Sequence, residues 1–257
     1  MGIDSGLPDF RGREGFWRAY PALRASGLDF HEIASPQAFR DTPGLAWGFY
    51  GHRLALYRRT RPHAGFALLR HWGSLMQQGC VVFTSNVDGQ FQQAGFDADR
   101  VHECHGSIHH LQCLQPCCDD IWEAGAFVPE VDEQHCRLLN APPTCPRCGG
   151  LARPNILMFG DDGWLERRSA AQWAQLQRQL SQARRPLVIE LGAGTAIPSV
   201  RHFSHAAVHQ LGGRLVRINP DEPAVPTTRD VGLAMGASQA LAGIARVLGP
   251  QWAAAGT

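Results

Sequence analysis

Apolar residues recur along residues 42–59 at Leu45, Phe49, Leu54 and Leu56-Tyr57, among basic ones. That spacing predicts an amphipathic helix opened by Asp41 or Thr42 ahead of Pro43. A second helix is expected over 63–77, after Pro62 and before Gly79. The pattern then changes: Cys80-Val81-Val82-Phe83-Thr84 is a continuous apolar run behind a glycine, the form of a strand buried on both faces of a parallel sheet. Similar runs follow over 153–160, 186–191 and 214–218. They are separated by predicted helices over 164–183 and from about Pro198, with a last helix over 237–248 and a frayed tail over 252–257. Strands alternating with helices, each strand followed by a polar or glycine-rich loop, predict an α/β fold with a doubly wound parallel sheet.

Composition narrows the class. The 257 residues are 44% hydrophobic and carry a formal net charge of +1, enough for a large domain with an insert and without a global field that would draw nucleic acid or a membrane surface. No apolar run approaches the roughly 20 residues that span a bilayer, and the N-terminus lacks the basic and apolar regions of a signal peptide, so a cytoplasmic protein is expected. In that compartment the eight cysteines read as metal ligands and buried thiols rather than disulfides.

Their spacing identifies the ligands. Cys113 and Cys117 form one short-spaced pair, and Cys145-Pro-Arg-Cys148-Gly149-Gly150 supplies the other. Four thiolates in two such pairs suit one tetrahedral structural zinc, which leaves no position open for substrate. Cys118 is an alternative to Cys117, Cys136 remains a further candidate, and Cys80 reads as a buried thiol.

Several loops carry other chemistry. Asp4-Ser5-Gly6-Leu7-Pro8-Asp9-Phe10-Arg11-Gly12 combines glycines, a proline, acids and an aromatic-Arg pair, which suits either a surface turn or a lid over a ring and an anion. Asn86-Val87-Asp88-Gly89 lies at the carboxyl end of the first predicted strand, where doubly wound sheets place ligands; a helix-capping turn is the alternative. Val101-His102-Glu103-Cys104-His105-Gly106-Ser107, with His109-His110 just beyond, offers several histidines, any of which reads as a general base tied to an acid or as a structural residue. Gly192-Ala193-Gly194-Thr195 stands between a strand and a helix and could present backbone N–H groups to a phosphate. Asn219 ends a later strand, placed for a ribose hydroxyl or a turn.

Taken in order, Gly6-Leu7-Pro8-Asp9-Phe10-Arg11, Asn86-Val87-Asp88-Gly89, His105-Gly106, the four cysteines, Arg153-Pro154 with Phe159-Gly160, and Ile218-Asn219-Pro220 resemble the sirtuins, the Sir2 family of NAD-dependent protein deacylases. The resemblance covers essentially the whole chain. It implies a Rossmann-like NAD-binding domain from 1–40, 61–110 and 154–257, and a small domain from 41–60 and 111–153 that joins a helical insert to a zinc-ribbon module. It further implies that Asp9, Phe10 and Arg11 cover the nicotinamide ribose, that Asn86 and Asp88 line the nicotinamide pocket, and that Gly192, Ala193, Gly194 and Asn219 hold the rest of NAD. His105 would be the general base, deprotonating a ribose hydroxyl after the acyl oxygen has attacked the ribose carbon left by nicotinamide. Phe159 and Gly160 would line the substrate, an acyl-lysine protein. Trp47-x-Phe49-Tyr50-x-x-Arg53 is similar to the pattern of sirtuins that prefer succinyl or malonyl lysine, with Tyr50 and Arg53 on the acyl carboxylate.

Three departures stand out. Ser85 occupies the place of a common Gln, Leu191-Gly192-Ala193-Gly194 replaces Gly-Thr-Ser, and Asp161-Asp162-Gly163 replaces the usual Gly-Glu pattern. Met1-Gly2-Ile3 matches only the tail of the opening Gly-Ala-Gly motif, so Met1 is expected to be internal to a longer natural protein whose upstream residues encode a first strand. The alternatives to a deacylase are an NAD-dependent ADP-ribosyltransferase and a non-catalytic NAD- or ADP-ribose-binding zinc module.

Overall fold

The computed structural model of the chain describes residues 1–8 and 13–253. Four short helices, α1 (Arg13–Ala19), α2 (Pro21–Ala25), α3 (Phe30–Ile33) and α4 (Pro36–Asp41), lead into α5 (Pro43–Arg59) and α6 (Ala64–Leu75). There follow β1 (Val82–Thr84), α7 (Gln90–Gln93), β2 (Val101–Glu103), β3 (Gly106–Cys113), β4 (Ile121–Glu123), β5 (Val131–Asp132), β6 (Arg137–Leu138) and β7 (Ala152–Ile156). The last part is α8 (Arg167–Leu180), β8 (Leu187–Leu191), α9 (Ser199–Leu211), β9 (Arg214–Ile218), β10 (Val231–Leu233) and α10 (Ala237–Leu248).

The parallel strands fall into two groups. β1 pairs with β2, while β9 lies between β8 and β10, with Leu187 opposite Arg214 and Leu191 opposite Ile218. Helix α9 packs on both groups: the Phe203 ring stacks on Phe83 at 4.2 Å and 7°, and the helix also lies against β8. The first residues enter between the carboxyl ends of the two groups. The Met1 nitrogen stands 3.9 Å from where a Cβ on Gly192 would lie, and a Cβ on Gly2 would lie 3.6 Å from the Asp88 carboxylate. Further along, Asp4 accepts from the Ala237 and Ser238 amides at 2.9 and 3.3 Å, giving α10 an N-terminal cap from across the chain.

A separate antiparallel sheet, β4-β3-β7, carries the chain from the parallel layer toward the cysteines, with Gly106 opposite Ile156 at one end and Cys113 opposite Ala152 at the other. The expected domain boundaries at 110/111 and 153/154 therefore fall inside β3 and β7. Gly106 has φ +77°, and a Cβ there would lie 2.1 Å from the Asn155 carbonyl oxygen, so only glycine lets the two strands close on each other.

Helix α5 differs from its amphipathic expectation: residues 46–51 are all buried. The aromatic cluster of Phe16, Tyr20 and Phe39 covers part of it, and the β5–β6 hairpin covers another part by seating on glycines. A Cβ on Gly48 would fall 2.0 Å from the Cys136 carbonyl oxygen. The middle of α5 is thus covered from several sides, and Trp47 ties it to β7 by donating to the Ala152 carbonyl at 3.0 Å. Of the expected frayed tail over 252–257, Trp252 is instead held, because its carbonyl accepts from the Trp72 indole at 2.7 Å and it packs against the core cluster that includes Trp72 and Leu241, while residues 254–257 lie outside the described residues.

Candidate active site and metal centre

His105 sits in the two-residue break between β2 and β3. Its carbonyl accepts from the Leu157 amide at 3.0 Å, its ring bonds the Ser85 backbone, and Nε2 lies 3.4 Å from the Ser199 hydroxyl at the start of α9. Burial pushes the His105 pKa below that of a free imidazole, with the Ser85 bond opposing the shift. The ring is therefore neutral at pH 7, the state a proton acceptor requires.

The Asn86–Gly89 segment folds as a bonded turn beside it. Asn86 N–H donates to the Thr84 hydroxyl at 3.1 Å, Asp88 Oδ1 accepts from the Gln90 amide at 3.0 Å, and Gly89 takes φ +71°. Asp88 is buried at 7% exposure; that burial raises its pKa, while the Gln90 amide opposes the rise.

Across from this turn, Gly192 has φ +64°, and its amide closes onto the Ile218 carbonyl at 2.8 Å. The Ala193 carbonyl receives both Asn219 Nδ2 and Arg201 Nε, each at 3.0 Å. Asn219 is thus spent inside the protein, since its Oδ1 also accepts from the Asp221 and Glu222 amides at 3.0 and 3.1 Å. Its place is that of a brace for the glycine turn. The amides of Ala193, Gly194 and Thr195 donate to no group among the described residues. Together with the N-terminus of α9 they form a set of free donors that fits a dinucleotide phosphate.

On the other side of His105, Phe159 N–H donates to the Ala34 carbonyl at 3.0 Å, and its ring tilts onto His31 at 4.2 Å. Gly160 is exposed with φ +61°. Tyr50 and Arg53 do share a face of α5, both buried. Arg53 donates from Nε and Nη2 to the Tyr57 hydroxyl at 2.9 and 2.8 Å and lies over the Phe49, Tyr50 and Tyr57 rings. Burial pushes the Tyr50 hydroxyl up to about 12, so it remains a donor. Asp9, Phe10 and Arg11 lie outside the described residues.

The four expected sulfurs converge. Cys113, Cys117, Cys145 and Cys148 place all their Sγ atoms within 4.8 Å of one another. Cys113 and Cys148 are 3.7 Å apart, and Cys117 and Cys145 3.6 Å. A tetrahedron of sulfurs about 2.3 Å from zinc has edges of about 3.8 Å, so the cage fits the ion. Gly149, at φ +70°, lets its amide return to the Cys145 carbonyl at 2.9 Å and closes the knuckle. Cys118 stands 3.8 Å from Cys117 but outside the group, and Cys136 is buried in the hairpin against α5.

Three partners were not singled out from sequence. Ser199 faces His105; Glu222 holds both Thr195 and Arg201 at 2.9 and 2.8 Å; and Arg168 reaches the buried Glu103, two residues before His105, at 2.5 Å. Only Glu222 carried a local signal, the Asn-Pro-Asp-Glu turn in which Asn219 accepts from the third residue on. The other two depend on helix packing across long separations.

A glycine turn with free amides, a neutral histidine at the ends of two parallel strands and a closed four-cysteine cage define a Rossmann-like dinucleotide-binding protein with a structural zinc site. The chain belongs to the Sir2 family, whose model matches residues 1–190. A protein named NAD-dependent protein deacylase from Thermococcus kodakarensis is 29% identical over 90% of this chain and 80% of its own length. One of the same name from Aquifex aeolicus is 26% identical, over 90% and 84%. Among solved structures, a Sir2 homologue–NAD complex superposes with a TM-score of 0.69 at 26% identity, covering 96% of this chain and 85% of that one.

Proposed function

We propose that the protein is an NAD-dependent protein-lysine deacylase of the cytoplasm, which releases nicotinamide and an O-acyl-ADP-ribose. The seat of His105 carries this reading: one residue reaches the nicotinamide-side turn through Ser85, the peptide segment through Leu157 and the phosphate-side helix through Ser199. NAD supplies the electrophilic ribose carbon when bound. Asp9, Phe10 and Arg11 cover the nicotinamide ribose, Asn86 and Asp88 hold the carboxamide end, and the turn opened by Gly192 offers the phosphates the amides of Ala193 and Gly194, with Asn219 bracing that turn. His105 accepts a proton from a ribose hydroxyl. Phe159 and Gly160 guide the peptide, while Tyr50 and Arg53 receive an acyl carboxylate, which makes succinyl- or malonyl-lysine a substrate beside acetyl-lysine. Residues 41–60 and 111–153, built on Cys113, Cys117, Cys145 and Cys148, form the small domain against the NAD-binding remainder.

The test is product analysis by mass spectrometry with NAD and acetyl- or succinyl-lysine peptides, using His105→Ala as control. Free lysine peptide and O-acyl-ADP-ribose are expected from the wild type. A wild type as silent as His105→Ala on every acyl group would overturn the reading, and ADP-ribose attached to protein would replace it with transfer chemistry. Arg53→Met is expected to lower turnover of succinyl-lysine about 100-fold more than that of acetyl-lysine, the loss of a desolvated charge-assisted pair.

A further inference from the structure

We propose that His109 is a positioning residue for nicotinamide binding, holding the Asp88 turn through the Asp88 main-chain carbonyl. The inference rests on Asp88 lining the nicotinamide pocket, and it comes from what stands behind that turn.

His109 Nε2 lies 2.9 Å from the Asp88 carbonyl oxygen. A carbonyl only accepts, so Nε2 carries the proton and the ring donates. The neighbouring Ile108 amide donates to the Val87 carbonyl at 3.0 Å, so two consecutive residues of β3 grip two consecutive carbonyls of the turn. The ring also fixes Gly89: a Cβ there would fall 2.6 Å from His109 Cδ2 and 2.8 Å from Nε2. Sequence alternation alone would send His109 and His110 to opposite faces of β3. The register instead shifts between Ser107 and Leu111, a bulge of the kind that re-aims side chains. Both histidines consequently face one cavity of about 340 Å³, whose wall also includes Asp88, Gly89 and Arg168. The turn borders this cavity on that side. Hydrogen bonds to β3 hold it there, and His109 supplies the side-chain one.

The experiment compares affinities for NAD and for ADP-ribose, which lacks nicotinamide, by titration calorimetry, together with KM for NAD and kcat. His109→Phe keeps the ring volume and removes the donor. It is expected to weaken NAD about tenfold, the scale of one buried carbonyl left unpaired, to leave ADP-ribose within about twofold, and to raise KM more than it lowers kcat. His109→Gln, whose amide can donate again, is expected to recover most of the loss. His109→Ala carries the same comparison if His109→Phe does not fold. Asp88→Asn separates the two ways of failing. If Asp88→Asn weakens NAD selectively while His109→Phe does not, or if His109→Phe weakens both ligands equally, the positioning role is overturned. If Asp88→Asn itself leaves the ratio unchanged, the nicotinamide assignment falls and the inference with it.

Discussion

Arg153 and Asp161 form a two-pronged ion pair with neither side chain exposed: Nη2 meets Oδ1 at 2.7 Å and Nη1 meets Oδ2 at 2.8 Å. Asp161 Oδ2 also accepts from the Met158 amide at 3.2 Å, and Arg153 Nη1 donates to the Ile156 carbonyl at 3.2 Å. The pair therefore closes the loop that carries Phe159 and Gly160. Removing one member leaves the other charge buried without its counter-ion, at a cost of about 3–5 kcal/mol. Asp161→Asn is expected to lose about that much in urea unfolding. The double variant Arg153→Met/Asp161→Leu, apolar on both sides, is expected to lose less. Equal losses in single and double variants would show that the pair is not what holds the loop.

The sulfur geometry makes a second expectation quantitative. Metal analysis of the purified protein is expected to find about one zinc per chain, and Cys113→Ser or Cys145→Ser should remove most of it and lower the unfolding temperature. Cys118→Ser should retain the metal, because its sulfur lies beside Cys117 rather than inside the group. Metal lost from Cys118→Ser and kept in Cys117→Ser would exchange the two assignments.

Much of this was legible from the chain alone, for physical reasons that differ by element. The cysteine cage and the strands over 187–191 and 214–218 follow from local signals, short Cys spacings and continuous apolar runs. Helix α5 was legible as a helix but not as a buried one, because its covering hairpin arrives about 85 residues later and docks on glycines that periodicity ignores. Strand β3 was missed because Ser107, His109, His110 and Gln112 interrupt its apolar pattern. Those polar residues are the ones that bond the turn and β7, or face the cavity. Asn219 was legible as the polar end of a strand, while its engagement with Ala193 depends on a contact 26 positions away.

Two buried histidines, His102 and His110, are expected to lower the stability of the protein in acid. The His102 ring is caged by Phe83 and Trp173 at 5.1 and 5.4 Å, and burial lowers its pKa to about 4. Burial, assisted by Arg168 and His109, brings His110 to about 4 as well. An unfolded histidine titrates near 6.5, so between roughly pH 6.5 and 4 the unfolded chain binds more protons than the native one. Stability therefore falls as pH drops through that window, by at most about 1.4 kcal/mol per pH unit for each group. Unfolding temperatures at pH 7 and 5 should differ accordingly. His102→Phe, which keeps an aromatic ring in the cage, should flatten the dependence, and an unchanged slope would assign the acid sensitivity elsewhere.

The same sign governs the rate. His105 acts as a base only when neutral, and burial holds its pKa below the usual 6.5. The acid limb of kcat/KM for NAD is therefore expected to fall below pH 6.5, with full activity retained at neutral pH. Ser85→Ala keeps the backbone bond to the ring and should leave the limb in place. Ser199→Ala removes the hydroxyl 3.4 Å from Nε2. If that hydroxyl donates to the neutral ring, the bond favours the uncharged form, and its loss should move the limb to higher pH. Rate profiles from pH 5 to 8 for the wild type and both variants read this directly, and a limb centred above pH 6.5 in the wild type would contradict a buried, neutral His105 as the group that takes the proton.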